Sequence, residues 1–432
     1  VYIRRELQIL LQKIINLNAG SIDRGALKFM TLNLVSRITS AIAQVYAITI
    51  FLKHHNPETA SVIILLIGYL SWLQLFEFGL SQTIQNKFNL KKLSLNHIIS
   101  VTLIHYIVVI AVGIIVWKTN IASHLLLGNA SNFTASDKAN FSVGAGLLIL
   151  TSSNLILHRI LLIIRKGAQS NLLLFIQSIV IIISLFIYSH TNHISQLNSI
   201  IVYVIPQIAT SIPVLIWLGL KVTKVAKKQN KKINIIELCR SSFGFFAVSA
   251  LSSVLLGMDY FFLSRYADSN EIIAYHVTTR FFYISFIVYY AFLLHASKKI
   301  ATIKSDNALN KLRKIKRNTI ILGSISVIGV YLLILLINKL GYMHLISNKT
   351  EISDSLALAS LIYFLVRVYC DTNLTITNNL SLKKKLIQTY TLQILVSGIL
   401  MPFLIPFYGA LGALVALTIA YLVGLTTQPK IQ

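Results

Sequence analysis

Residues 60–86 read ASVIILLIGYLSWLQLFEFGLSQTIQN, a run of 27 residues carrying one charge, Glu77. About 20 mostly apolar residues cross a bilayer as an α-helix, so this stretch is long enough to span. Its polar residues are ordered. Gln74, Glu77, Ser81 and Gln85 are spaced +3, +4 and +4, which puts them on one helical face. A polar stripe on an apolar span faces a bundle interior or a wet cavity, because lipid offers it no hydrogen bonds.

The same texture recurs along the chain. Apolar blocks stand at roughly 27–52, 60–86, 96–117, 141–164, 171–189, 198–220, 241–264, 272–297, 319–338, 354–380, 386–405 and 409–427, which predicts about twelve spanning helices. Of the 432 residues, 55% are hydrophobic and 12% charged, against about 25% charged in a soluble domain. Mean hydropathy is +0.73. The blocks are continuous rather than alternating, which argues against a transmembrane β-barrel. Residues 1–26 lack a short apolar core with a small-residue cleavage site. They read as an amphipathic segment on the cytoplasmic membrane surface, with Arg4, Arg5 and Lys13 beside Leu7, Leu10, Leu11 and Ile14.

A net charge of +26 would fit nucleic-acid binding, but its distribution argues against that. With the N-terminus placed inside, 29 of the 39 Lys and Arg fall in cytoplasmic segments, 6 in outer loops (Lys53, Lys118, Lys138, Arg265, Lys339 and Lys349) and 4 within spans. Every cytoplasmic loop is at least as basic as its outer neighbours, the loop with Arg165 and Lys166 only equalling the one with Lys118 and Lys138, as the positive-inside rule expects. The excess therefore orients the chain and matches anionic lipid heads. Both termini are expected in the cytoplasm.

The spans divide six and six. The expected organisation is a six-helix N-lobe over 27–220, a basic cytoplasmic linker over 221–240, a six-helix C-lobe over 241–427 and a cytoplasmic tail over 428–432. A shift of 213 residues aligns Ser36, Ser40 and Glu58 with Ser249, Ser253 and Glu271, a faint echo between parallel halves. The longest loops are expected at 118–140 and 298–318. Two cysteines, Cys239 and Cys370, sit at a helix end and inside a span, which predicts no disulfide and no metal.

Four arginines fall within spans: Arg37, Arg159, Arg280 and Arg367. The first helix sets Asn33, Arg37, Ser40 and Gln44 on one face, and the eighth sets His276, Arg280 and Tyr283 on another. Arg37 lies about 14 Å deep at 1.5 Å per residue, near the bilayer middle. One reading joins Arg37, Arg280, Arg159 and Arg367 in a cationic cavity between lobes, lined by Asn33, Ser40, Gln44, Gln74 and Gln85. The other reading is structural: Arg367 paired with Asp371 one turn away, Arg280 with Asp259, Arg37 with Glu77, and Arg159 snorkelling to the surface. Glu77, Asp259 and Asp371 are the carboxylates expected inside spans and the candidates for exchanging H⁺ or Na⁺.

His54, His55, His190 and His193 are expected in solvated outer loops. Pro206 and Pro213 are expected to kink the sixth helix. Gly409, Gly412, Ala413 and Ala416 form small-residue faces for helix packing. No GxxxxGK[ST], HExxH or GxSxG motif appears, so no enzyme and no resident cofactor is expected, and a secondary transporter is the natural class.

Leu70-Ser71-Trp72-Leu73-Gln74-Leu75-Phe76-Glu77-Phe78-Gly79-Leu80, followed by Gln85-Asn86-Lys87, resembles the second-helix signature of Wzx-type bacterial polysaccharide flippases. There an acidic residue, more often Asp, precedes a Gly-Leu pair. Met258-Asp259-Tyr260 through Tyr275 and Arg280 is similar to that family's seventh and eighth helices. Tyr408-Gly409-Ala410-Leu411-Gly412-Ala413 looks like its last hairpin. The resemblance implies the MATE-like fold of the multidrug/oligosaccharidyl-lipid/polysaccharide exporter superfamily, two six-helix lobes around a central cavity. It also implies a substrate, an undecaprenyl-diphosphate-linked O-antigen repeat unit moved to the periplasmic leaflet of the inner membrane. A polysaccharide polymerase and a chain-length regulator are the implied protein partners. The alternatives are a cation-coupled multidrug exporter of the same fold, which would favour an acidic cavity, and a membrane-embedded polymerase or glycosyltransferase, which usually carries a large periplasmic loop.

Overall fold

A computed structural model describes residues 24–80, 83–84, 95–127, 133–163, 167–191, 194–225, 235–301, 308–340, 352–379 and 382–428. Residues 1–23 of the amphipathic segment and residues 226–234 of the linker lie outside them. Among the described residues every regular element is a helix. The first half comprises α1 (Arg24–His54), α2 (Pro57–Gly68) with a 3₁₀ continuation (Tyr69–Glu77), α3 (Leu95–Thr119), α4 (Ile121–Leu126), α5 (Ala135–Thr151), α6 (Ser153–Ile163), α7 (Gly167–Ser189), α8 (Gln196–Ala209) and α9 (Ile212–Val225). The second half comprises α10 (Ile235–Tyr266), α11 (Ser269–Ala301), α12 (Ala308–Lys339), α13 (Asp354–Asn379) and α14 (Lys383–Gly424).

Eleven helical stretches among the described residues are long and apolar enough to cross a membrane. The last, Lys384–Thr427, runs through both of the final predicted spans. It is broken at Gly409, whose φ of 53° and ψ of −132° are not helical. A side chain there would also collide with the Glu271 carboxylate. Gly409 therefore serves the turn, where a packing face was expected; a Cβ at Gly412 would collide with Leu404 O, and Ala413 and Ala416 are buried as that expectation required. Faces such as Leu103, Ile107, Ile110 and Ile114 on α3 and Ile321, Ile325, Ile328 and Leu332 on α12 are exposed at helical spacing. They are surfaces for lipid in a multi-pass membrane protein.

Helices run further than the apolar blocks. Residues 298–301 and 308–317, expected in a loop, extend α11 and α12, because Ala, Leu, Lys and Arg are good helix formers whose charged heads reach beyond the apolar zone. The loop expected at 118–140 contains α4 and a capping box at the start of α5, where Thr134 and Asp137 satisfy each other's backbone. The two expected kinks of the sixth helix resolve into one break at Thr210 and Ser211. It faces a second break at Ser152. Asn154 Nδ2 donates to Gln207 O at 2.9 Å, and Gln177 Nε2 reaches Ser211 Oγ at 3.3 Å. Side chains thus serve backbone that lipid could not.

The lobes meet along two seams. The 3₁₀ segment packs on α10, and α1 and α2 pack on α11. Glycines set the approach on the first seam. A Cβ at Gly68 would lie 2.7 Å from the Tyr260 ring, and one at Gly257 would enter Trp72. Nine residues is long for a 3₁₀ run, which rarely exceeds 3–4 residues. It ends with Phe78 at φ 52° and Gly79 at φ 67°, both left-handed.

Candidate functional site

An inter-lobe cavity of about 230 Å³ lies between α1 and α11. Arg37, Ser40 and Gln44 face Arg280, Tyr283 and Tyr290 across it, and among the described residues no carboxylate lines it. Arg37 is exposed into this space, and its Nε donates to Asn33 Oδ1 at 3.0 Å. Its guanidinium meets no carboxylate among the described residues, so the expected alternative of a Glu77 partner is not found. Arg280 spends its fork on three acceptors: His276 Nε2 at 3.3 Å, Gln44 Oε1 at 3.0 Å and Ile67 O at 3.5 Å. Because guanidinium only donates, Nε2 of His276 must accept. The imidazole proton then sits on Nδ1 and points to Tyr260 Oη at 2.6 Å. The Arg280–Asp259 pair is therefore absent. Asp259, buried, instead accepts from Tyr275 Oη at 2.5 Å and from the Tyr260 amide at 2.9 Å.

Arg367 lies elsewhere. It lines a separate cavity of about 180 Å³ inside the C-lobe, with Asp371, Asn378, Tyr290 and Tyr390. Arg367 is 2% exposed. Its Nε lies 3.4 Å from Asp371 Oδ2, the predicted intrahelical pair. Nη1 donates to Tyr283 Oη at 3.0 Å and Tyr363 Oη at 3.4 Å. The rings of Tyr283, Phe286, Tyr363 and Phe364 surround it at 4.9–6.0 Å. A cation so desolvated is held by its carboxylate, its hydroxyls and the ring faces. Tyr283 stands between the two sites, its ring 5.5 Å from the Arg280 guanidinium and 5.3 Å from that of Arg367.

The four expected arginines thus separate into two in the inter-lobe cavity, one in the C-lobe cavity, and Arg159, half-buried on α6 and lining neither. Glu77 closes the 3₁₀ segment, half-buried. Gln85 and the side chain of Gln74 lie outside the described part. Tyr290 and Tyr363 were not among the expected site residues. Tyr290 continues the stripe His276, Arg280, Tyr283 by one heptad, a signal easily read as core aromatic.

The lobes are clasped where α4 meets α10. Arg265 stacks on Phe261 at 3.6 Å and donates to Phe261 O at 2.7 Å and to Leu125 O. Ser264 Oγ and Tyr69 Oη donate to Leu126 O at 2.7 and 3.1 Å. Arg265, expected as a loop charge, therefore bridges α10 to α4. His55 is likewise not a solvated loop residue. It is buried, with Nε2 2.8 Å from Ser199 Oγ. His190 is exposed as expected, and His193 lies outside the described residues.

Two lobes of this architecture with a cavity between them have the multidrug/oligosaccharidyl-lipid/polysaccharide exporter fold of a multi-pass membrane protein. Solved structures carry that assignment. The lipid II flippase MurJ in an inward closed conformation superposes with TM-score 0.69 at 16% identity, over 92% of this chain and 86% of that one. An inward-facing MATE-family multidrug resistance transporter of the MOP superfamily gives 0.68 at 12% identity, over 91% and 96%. In sequence, a Yersinia pseudotuberculosis protein named for O-antigen export is 26% identical over 400 residues, 90% of this chain and 91% of that protein. No protein-family model matches the chain. The relatives agree with the resemblance to polysaccharide flippases carried by residues 70–87, and each is named for export, flipping or transport rather than catalysis.

Proposed function

We propose that the chain flips an undecaprenyl-diphosphate-linked oligosaccharide, an O-antigen repeat unit, from the cytoplasmic to the periplasmic leaflet of the bacterial inner membrane by alternating access. The observation that carries this reading is the inter-lobe cavity, where Arg37 and Arg280 face each other with no lining carboxylate among the described residues. A diphosphate concentrates negative charge and suits the planar arginine fork. Ser40, Gln44, Tyr283 and Tyr290 supply hydroxyls, an amide and ring faces for the sugars, while the lipid tail stays in the bilayer. The clasp at Leu125 and Leu126 closes the far side, as one state of alternating access requires. A multidrug exporter for cationic drugs would need an acidic cavity at this place, so that reading ranks second; a polymerase or glycosyltransferase has no supporting motif.

The lysine and arginine bias supports a topology with both termini in the cytoplasm. Of the coupling candidates Glu77, Asp259 and Asp371, the last lines a cavity and is the best placed to exchange H⁺ or Na⁺. The implied polymerase and chain-length regulator would receive the flipped unit. Deleting the gene and locating the lipid-linked repeat tests the function. Accumulation on the cytoplasmic leaflet is the expected result, and normal surface glycan would overturn it. A periplasm-active reporter fused after Asn56 should be active and one after Lys228 inactive.

A further inference from the structure

We propose that Tyr290 is the positioning residue that links the charge state of Asp371 to anion affinity in the inter-lobe cavity, an inference that rests on the anion-binding role given to that cavity above. The two cavities share a wall. Tyr290 lines both, with Arg37 and Arg280 on one side and Arg367 and Asp371 on the other. Its hydroxyl donates to Asp371 Oδ2 at 3.2 Å. The preceding Tyr289 is buried, donates to Val368 O at 3.0 Å and sits 2.9 Å from Thr372 Oγ1. That contact pins α11 to α13. The Phe286 ring meets Tyr290 edge-on at 5.4 Å and 72°. The ring of Tyr290 is held on both counts, and what is left to change is the partner of its hydroxyl.

A tyrosine hydroxyl has one proton to donate. An ionised Asp371 holds that proton on the C-lobe side, where Arg367 also hydrogen-bonds the oxygen, so no proton is offered to the inter-lobe cavity. Uptake of a proton or a cation by the carboxyl removes the charged acceptor. The hydroxyl is then released to donate to an anion beside Arg37 and Arg280. The carboxylate's repulsion of that anion falls in the same step, so both effects act in one direction. The titratable groups around Asp371 are Arg367, Cys370 and Tyr363 on its own helix, Tyr289 and Tyr290 on α11, and Tyr390 and Tyr421 on α14. The lining residues from α10, Ser252 among them, bring no charge. None of these neighbours is acidic, so the Asp371 carboxyl is the group whose charge the hydroxyl reports. Linkage makes the effect reciprocal: an anion between the lobes draws a proton or cation to Asp371.

A double-mutant cycle on the purified protein tests this, with inorganic pyrophosphate as the probe and calorimetric titration as the readout. At neutral pH, Asp371→Asn should tighten pyrophosphate binding, and the tightening should be about threefold or more larger with Tyr290 present than in the Tyr290→Phe background. The wild type should bind more tightly as pH falls, and Tyr290→Phe should flatten that dependence. A purely structural role for Tyr290 would lower stability without altering the cycle. Equal effects of Asp371→Asn in both backgrounds would overturn the proposal while leaving the anion cavity standing. Absence of pyrophosphate binding by the wild type, or binding indifferent to Arg37→Ala and Arg280→Ala, would remove the cavity's role itself. Tyr290→Met, apolar and without the hydroxyl, replaces Tyr290→Phe if the latter does not accumulate; if Asp371→Asn, which leaves Arg367 without its carboxylate, does not accumulate, the pH dependence of the wild type against the Tyr290 variant decides, and equal slopes overturn the proposal.

Discussion

Arg280 on α11 donates to Gln44 Oε1 on α1 at 3.0 Å, a hydrogen bond across the lobe boundary at the edge of the inter-lobe cavity. With Ile67 O and His276 Nε2 it gives the guanidinium three fixed acceptors. An ammonium is a point charge and does not reproduce that fork. Arg280→Lys should therefore lose export by about tenfold or more, nearly as much as Arg280→Ala. Among the described residues Arg37 has Asn33 alone as a fixed acceptor, so Arg37→Lys should keep appreciable export and Arg37→Ala should lose most of it. Glycan export at matched membrane abundance checks the four variants, and full export by Arg280→Lys would remove the fork argument.

The seam between the 3₁₀ segment and α10 is set by backbone at Gly79. Its φ of 67° is left-handed, and a Cβ would lie 2.6 Å from Phe246 N and 2.7 Å from Ser242 O. Neither obstacle is a movable side chain. Gly79→Ala should cost about 1–2 kcal/mol for the left-handed residue alone, plus the displacement of α10. Reduced abundance and a lower melting temperature in detergent are expected, and an unchanged melting temperature would show that the seam gives way freely.

The spans and lobes were legible because lipid demands length and apolarity, which a window of residues displays directly. The pairing of Arg367 with Asp371 was legible for a similar reason, since four residues separate neighbours on a helix. The cage around Arg367 was not, because Tyr283 and Phe286 come from another helix and nothing local records that approach. Residues 69–77 show an apolar run with a polar stripe and no sign of a 3₁₀ winding; Gly68 and Gly79 at its ends were the available flags. Arg265 looked like a loop charge because its acceptor, a carbonyl on α4, is 140 positions away in the chain.

His55 offers a pH-dependent contact outside the spans. Burial, reinforced by the neighbouring His54, pushes its imidazole down to about 4 from the usual 6.5. The unfolded chain therefore binds more protons than the folded one between about pH 6.5 and about pH 4, and stability rises with pH across that window. The contribution is fully present above the unfolded value and is lost as pH falls toward the folded one. His55→Asn should flatten the melting temperature between pH 4 and 6.5 relative to the wild type. Parallel curves for the two proteins would place the titration elsewhere.

Arg367 and Asp371 should behave as a unit of structure, unlike Arg37. Arg367 is 2% exposed and caged by four rings, and its Nε sits 3.4 Å from Asp371 Oδ2. Removing one member of such a pair leaves a buried charge without a partner, at a cost of about 3–5 kcal/mol. Arg367→Ala should therefore lower membrane abundance sharply. Adding Asp371→Asn removes the orphaned carboxylate, so the double variant should recover much of the abundance that the single one lost. Arg367→Met with Asp371→Asn, which also refills the cage, should recover more. Export in the recovered proteins separates structure from coupling. If Asp371 exchanges the coupling ion, the double variants accumulate but export without dependence on the ion gradient, whereas Glu77→Gln and Asp259→Asn keep that dependence. Retained gradient dependence in every Asp371→Asn protein would leave the pair a structural element only.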